Sequence, residues 1–410
     1  MTEYYDALET RSADERAASL AECLPAHLAH AKANAPYFAR TLADVDPQSI
    51  NSRAALAALP ILRKSALPAM QKAEPSFGGL NATPLGDLRR VLISPGPIFE
   101  PEGHAEDYYR FARSLFAAGF RAGDLVVNTF AYHLTPGGWI GQTSCEAVGC
   151  PVIPAGVGNT EQQLDAVEVM RPVAYVGTPA FLKVLLDKAA ELGRDASSLK
   201  KSLVSGGALP PSLREEIEGH GVSCVQAYGT ADCGLIAYES AAREGMIADE
   251  GAIIEIVRPG TGDPVPDGEV GEVVVTVLNP HYPLVRFATG DLSAVLPGAS
   301  PCGRTNLRIK GWMGRADQTT KVKGMFVHPA QVAEIAARHP EVGKARLTVI
   351  GEKGIDAMTL SVEAAGGDGL ADAIAESLQA VTKMKGAVEI VAPGSLANDG
   401  KVIDDQRSYE

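Results

Sequence analysis

Apolar positions recur at spacings of three and four over 13–45, through Ala17, Leu20, Leu24 and Leu28, which predicts a helix that Pro36 interrupts. The segment LPILRKSALPAM (59–70) reads as a proline-rich connector. From Asp107 onward, short apolar runs alternate with amphipathic stretches. DLVVNTF (124–130), PVIPAG (151–156), PVAYVG (172–177), KSLVSGG (201–207) and SCVQAYG (223–229) predict buried strands, and 161–170, 179–192 and 210–219 predict helices. This order predicts a largely parallel sheet covered by helices. AIIEIV, GEVVVTVL and LVRFATGDLSAVL follow from 252 without helices, which predicts an antiparallel sheet packed on the first layer.

After the tetrapeptide GRAD (314–317) the pattern restarts. MFVHP, a helix over 329–339, the strands ARLTVIGE and AMTLSVEA, a helix over 369–383 and the strand AVEIVAP give a β-α-β-β-α-β order. A chain of 410 residues exceeds what one core usually serves. The expected class is α/β: a large multi-sheet N-terminal domain with helices over 1–314, and a small α+β C-terminal domain over 315–410.

Composition narrows the partners. Hydrophobic residues at 46% and charged residues at 21% describe a globular protein, and a net charge of −13 argues against nucleic acid or an anionic membrane as bulk partner. No run of 18 apolar residues is present, so no membrane span is expected. Six cysteines stand without a CxxC pair, and the N-terminus MTEYYDALETRSADER is acidic and polar. Both point to a reduced, cytoplasmic setting. Cys302, in SPCGRT, has too few neighbouring ligands for zinc.

Several motifs carry chemistry. A carboxylate after a Thr-Gly turn, as in Asp291, suits two vicinal hydroxyls, and Arg315 beside a glycine turn can reach phosphate oxygens with a planar fork. Gly206 and Gly207 follow a strand and are followed by Ala208, and a Tyr-Gly-Thr turn (Tyr228, Gly229, Thr230) follows the next strand. Ligands sit at such strand ends in α/β sheets. FAYHLTPGGW (130–139) resembles the segment that lines the acyl pocket in adenylate-forming enzymes, which implies Tyr132, His133 and Trp139 as its walls, although buried core aromatics would read the same way.

The string RFATGDLSAVLPGASPCGRTNLRIKGWMGRADQTTKVKGMFVHP (286–329) resembles the nucleotide-binding and hinge region of adenylate-forming enzymes, in the phenylacetate–CoA ligase branch. The resemblance runs from PYFAR (36–40) to Lys401 in PGSLANDGKVIDD (393–405). It implies a C-terminal lid hinged at Asp317, and a carboxylic acid activated by ATP to an acyl-adenylate and then passed to coenzyme A. An aryl or arylacetic acid is the implied substrate class. Asp291 would hold the ribose hydroxyls and Arg315 the ribose or phosphate. Tyr228 and 206–208 would frame adenine, and Thr230 would meet the α-phosphate. Lys401 would serve the first half-reaction, while Lys323 and Gly324 would line the CoA tunnel. Asp232, in YGTAD, stands where the family carries a glutamate that helps hold Mg2+.

One segment departs from the family. VLISPGPIFEPEG (91–103) replaces a Ser/Thr/Gly-rich loop close to SSGTTGKP that wraps pyrophosphate; Ser94 and Gly96 survive. The threonines and lysine are gone, prolines remove donors, and Glu100 and Glu102 add negative charge. Either the loop points elsewhere or ATP is handled poorly. Two alternatives therefore stay open: an adenylating enzyme with an amine or carrier-protein thiol as acceptor, and a catalytically silent relative that binds nucleotide or acyl-CoA as a regulatory subunit. A homodimer is left open.

Overall fold

The computed structural model describes residues 3–259, 261–316, 320–322, 325–327, 329–352, 355–367, 369–397 and 401–407. Helix Ala13–Asn34 opens on a reciprocal cap: the Glu15 N–H donates to the Ser12 hydroxyl at 3.2 Å, and the Ser12 N–H donates to the Glu15 carboxylate at 2.7 Å. Pro36 starts a separate helix, Pro36–Thr41, so the apolar period of 13–45 is carried by two helices.

The chain divides into two units. The larger comprises Met1–Gly268, Val273–Thr289 and Ser293–Trp312, the smaller Glu269–Glu272, Gly290–Leu292 and Met313–Glu410. The centre of the larger unit is an eight-stranded sheet. Five strands run parallel in the order Ser223–Thr230, Lys201–Val204, Ala174–Gly177, Val126–Asn128, Val152–Pro154. Gly234–Tyr238, Met246–Ala248 and Arg308–Ile309 extend it antiparallel, because a short turn after Thr230 sends the chain straight back beside its own strand.

Helices cover this sheet through one face each. Leu182, Leu185, Leu186 and Ala189 of Pro179–Leu192 fall at helical spacing and pack with Val127, Tyr175 and Val204 of the strands. A four-stranded sheet has the order Leu62–Arg63, Phe287–Ser293, Gly271–Val277, Ala252–Val257. Its first strand comes from the connector and pairs parallel, Leu62 opposite Phe287. The expected purely antiparallel sheet is therefore mixed.

The smaller unit holds a sheet in the order Ala387–Val391, Ile355–Glu363, Ala345–Glu352, Ile403–Asp405, with helices Pro329–Ala337 and Leu370–Thr382. Val332, Ile335, Leu347, Val349, Leu360, Ile374 and Leu378 form its core. Among the described residues no helix is long and apolar enough to cross a membrane.

Candidate active site

Three of the parallel strands, Val126–Asn128, Lys201–Val204 and Ser223–Thr230, deliver sequence-predicted residues from their C-terminal ends, which share one sheet edge. After Val204 the chain turns through Gly206, with φ at 69°, and leaves Gly206, Gly207 and Ala208 exposed. Tyr228 is buried in the core, its hydroxyl 3.3 Å from that of Thr289. Gly229 has no room for a side chain: a Cβ would lie 2.5 Å from the Gly234 carbonyl and 2.7 Å from the Phe111 ring. The Thr230 hydroxyl accepts from the Cys233 N–H at 3.1 Å, which closes the turn carrying Asp232.

The departed loop is an antiparallel hairpin. Arg90–Ser94 pairs with Ile98–Glu102 in the register Arg90–Glu102, Leu92–Glu100, Ser94–Ile98, around the turn Pro95-Gly96-Pro97. Its carboxylates do not face outward. Glu100 is 1% exposed and accepts from the Ser94 hydroxyl; Glu102 is buried and 2.5 Å from Arg90. Gln71 clamps the strand edge just before Glu100, with its amide nitrogen 2.8 Å from the Phe99 carbonyl and its oxygen accepting the Phe99 N–H at 2.9 Å. The negative charge expected from the sequence is thus turned inward.

Behind the hairpin lies a buried polar cluster. Lys64 Nζ is 2.5 Å from Asp232 Oδ2, and the Asp232 side chain is wholly buried. Burial lowers the Lys64 pKa, but the charge and hydrogen bond of Asp232 override it and hold the ammonium above its ordinary value. Glu100 is shifted upward, first by burial and then by the Asp232 charge, against the Ser94 hydrogen bond and Lys64. Asp232 Oδ1, Glu100 Oε2 and the Tyr282 hydroxyl are buried without a hydrogen-bond partner, and Asp232 and Glu100 are the leading charges on the Tyr282 phenol. Sequence reasoning missed Lys64 and Gln71, since nothing in LRKSAL or AMQKA marks residues that meet the chain at Asp232 and Phe99.

The expected pocket walls are tied to the protein. Tyr132 and Trp139 meet edge to face at 5.2 Å, and the Trp139 indole N–H donates to the Tyr132 carbonyl at 3.2 Å. The Tyr132 hydroxyl lies 2.8 Å from Asn128 Nδ2 and donates to Gln142 at 3.0 Å. The Arg90 guanidinium stacks 3.9 Å above the Trp139 ring, and the Ile93 N–H donates to the Leu134 carbonyl at 2.9 Å, so the hairpin is fastened to this segment. His133 is exposed.

Within the smaller unit, the TGD and GRAD motifs are stitched together. The Ala316 N–H donates to Gly290 O at 2.7 Å and the Leu292 N–H to Gly314 O at 2.9 Å. Arg315 Nη1 consequently lies 3.1 Å from Asp291 Oδ1. Lys401 is half-exposed, 2.8 Å from Asp404, with its carbonyl 3.1 Å from Arg346 Nε. Asp317, Lys323 and Gly324 lie outside the described residues.

Residues 108–278 match the model of the AMP-binding enzyme family. The chain is 31% identical to a phenylacetate–coenzyme A ligase of Thermus thermophilus over 88% of this chain and 84% of that one. It is 30% identical to the phenylacetate–coenzyme A ligase of Aromatoleum evansii, over 87% and 83%. Among solved structures, 2-hydroxyisobutyryl-CoA ligase in the postadenylation state, in complex with R3-HIB-AMP, superposes with a TM-score of 0.74 at 25% identity, covering 99% of this chain and 93% of that chain. The similarity to the Thermus ligase extends over so much of both chains that this protein belongs to the phenylacetate–CoA ligase family of AMP-binding enzymes.

Proposed function

We propose that the chain is an AMP-forming acyl-CoA ligase that activates an aryl or arylacetic acid. The carboxylate attacks the α-phosphorus of ATP, pyrophosphate leaves, and the thiol of CoA then displaces AMP from the acyl-adenylate. The observation that carries this reading is kinship with phenylacetate–CoA ligases over 88% of the chain. The 3.1 Å pairing of Asp291 with Arg315 supports reading the two as one ribose-binding unit.

Asp291 accepts the ribose hydroxyls, and Arg315 steadies that carboxylate and reaches toward ribose or phosphate. Gly206, Gly207 and Ala208 give the purine an edge of bare backbone, with Tyr228 behind the strand end. Thr230 donates to the α-phosphate. Lys401 neutralises charge gathering on the α-phosphoryl oxygens in the first half-reaction. Tyr132 and Trp139 wall the acyl group, and Lys323 and Gly324 guide the pantetheine arm.

Mg2+ is expected with the nucleotide's phosphates. Asp232 makes a poor ligand for it: one oxygen is engaged by Lys64, the side chain is sealed from solvent, and among the described residues no group of three acidic, histidine or cysteine side chains is suited to a metal. No step is therefore assigned to a metal on Asp232. The case for a silent relative rested on the altered phosphate loop, and with Glu100 and Glu102 turned inward the part of it that rested on their charge falls away.

The test is acid-dependent exchange of labelled pyrophosphate into ATP across benzoic, phenylacetic, hydroxyphenylacetic, indoleacetic and short aliphatic acids. Exchange is expected with one or more aromatic acids. Exchange with aliphatic acids alone would overturn the substrate class.

A further inference from the structure

The buried cluster holds two carboxyl groups from distant parts of the chain, Glu100 of the hairpin and Asp232 of the turn after Ser223–Thr230. Each has one oxygen engaged, by Ser94 and Lys64 respectively, and one oxygen buried without a partner. The Tyr282 hydroxyl, in a residue 1% exposed, is a third unpartnered oxygen under the influence of both. An all-oxygen set of this kind is what a hard cation prefers. One cation is already there, because the Lys64 ammonium touches Asp232 at 2.5 Å.

We propose that Lys64 is the built-in cation of this site: its ammonium occupies the place a divalent ion would take beside Asp232 and Glu100, and Asp232 is its counter-ion. The inference extends the ligase reading of the preceding section, but it concerns the nucleotide-free protein. A second cation on Asp232 would meet a like charge on the same carboxylate, in a region where water cannot screen it. A divalent metal then enters only as the nucleotide's own complex. Removing the ammonium uncovers two buried carboxyl groups with no compensating charge, and that state recruits a metal.

The experiment titrates Mn2+ alone into the full chain without nucleotide, reading free Mn2+ by its electron paramagnetic resonance signal. Wild type is expected to leave the ion free into the millimolar range, and Asp232→Asn to be indistinguishable from it. Lys64→Met is expected to bind one Mn2+ at least about tenfold more tightly than wild type, and Lys64→Met/Asp232→Asn to lose that binding. One Mn2+ held by wild type and released by Asp232→Asn would overturn the proposal. A folded Lys64→Met that gains no Mn2+ would also overturn it. Should Lys64→Met fail to fold, the comparison of wild type with Asp232→Asn decides alone. The ligase reading is separable, because Mn2+ binding is scored without acid, ATP or CoA.

Discussion

Asp291 and Arg315 stand on two segments that pair as an antiparallel bridge, with Oδ1 and Nη1 3.1 Å apart. Asp291 is largely buried, whereas Arg315 is 45% exposed, so the carboxylate is fixed and the arginine can be shared with a ligand. Asp291→Ala is expected to weaken AMP binding roughly 10- to 100-fold, the loss of charge-assisted hydrogen bonds to two hydroxyls. Arg315→Ala should cost less, within about tenfold, because the guanidinium is itself half exposed to water. Calorimetric titration with AMP measures both; near-wild-type affinity in Asp291→Ala would remove its ribose role.

Lys401 is held by Asp404 at 2.8 Å, in a pair whose lysine is half exposed. Lys401→Ala is expected to slow acyl-adenylate formation by about two to three orders of magnitude, the usual loss for one preorganised donor. Thioester formation from supplied acyl-adenylate should continue. Single-turnover assays of each half-reaction separate the two, and equal losses in both would end the assignment.

The inward carboxylates of the hairpin change what their substitution should do. Glu100→Gln keeps the Ser94 contact and is expected to leave the ratio of ATP to AMP affinity within about threefold of wild type, since no buried neutralised group opposes a distant phosphate strongly. A rise of tenfold or more in ATP affinity alone would show that Glu100 faces the polyphosphate.

Much of this architecture was readable in the sequence, and the misses have physical causes. Apolar runs between amphipathic helices located the five parallel strands to within a few residues, because strands buried on both faces leave little room for polar side chains. The hairpin over 90–102 was read as a loop because its phosphate-loop counterpart drew the comparison. The short apolar runs VLI and IF on either side of Pro-Gly-Pro are the strand and turn signal that was there to use. Its acidic positions belong to the inside, where Ser94 and Arg90 each engage one carboxylate oxygen, which inverts the usual rule. Lys64 meets Asp232, which lies 168 positions further along the chain, and no local pattern encodes such a pair. The Asp291–Arg315 proximity, by contrast, follows from two short motifs that pair as backbone.

Acid should weaken the larger unit through His27. Its Nε2 is buried without a partner, and burial, aided by His30, lowers its pKa to about 4. A histidine kept neutral in the fold contributes stability that is fully present above its unfolded value near 6.5, and that is lost as pH falls toward about 4. Urea unfolding at pH 7.5 and pH 5 should therefore differ by up to about 2 kcal/mol more in wild type than in His27→Leu. An unchanged pH dependence in the variant would show that His27 is not the group responsible.

The most direct test of the account follows products by mass spectrometry, with an aromatic acid, ATP, Mg2+ and CoA supplied together. AMP and the aryl-CoA thioester are expected in equal amounts, both vanishing when the acid is left out. Formation of ADP in place of AMP, or hydrolysis of ATP without thioester for every acid that supports pyrophosphate exchange, would contradict an AMP-forming acyl-CoA ligase.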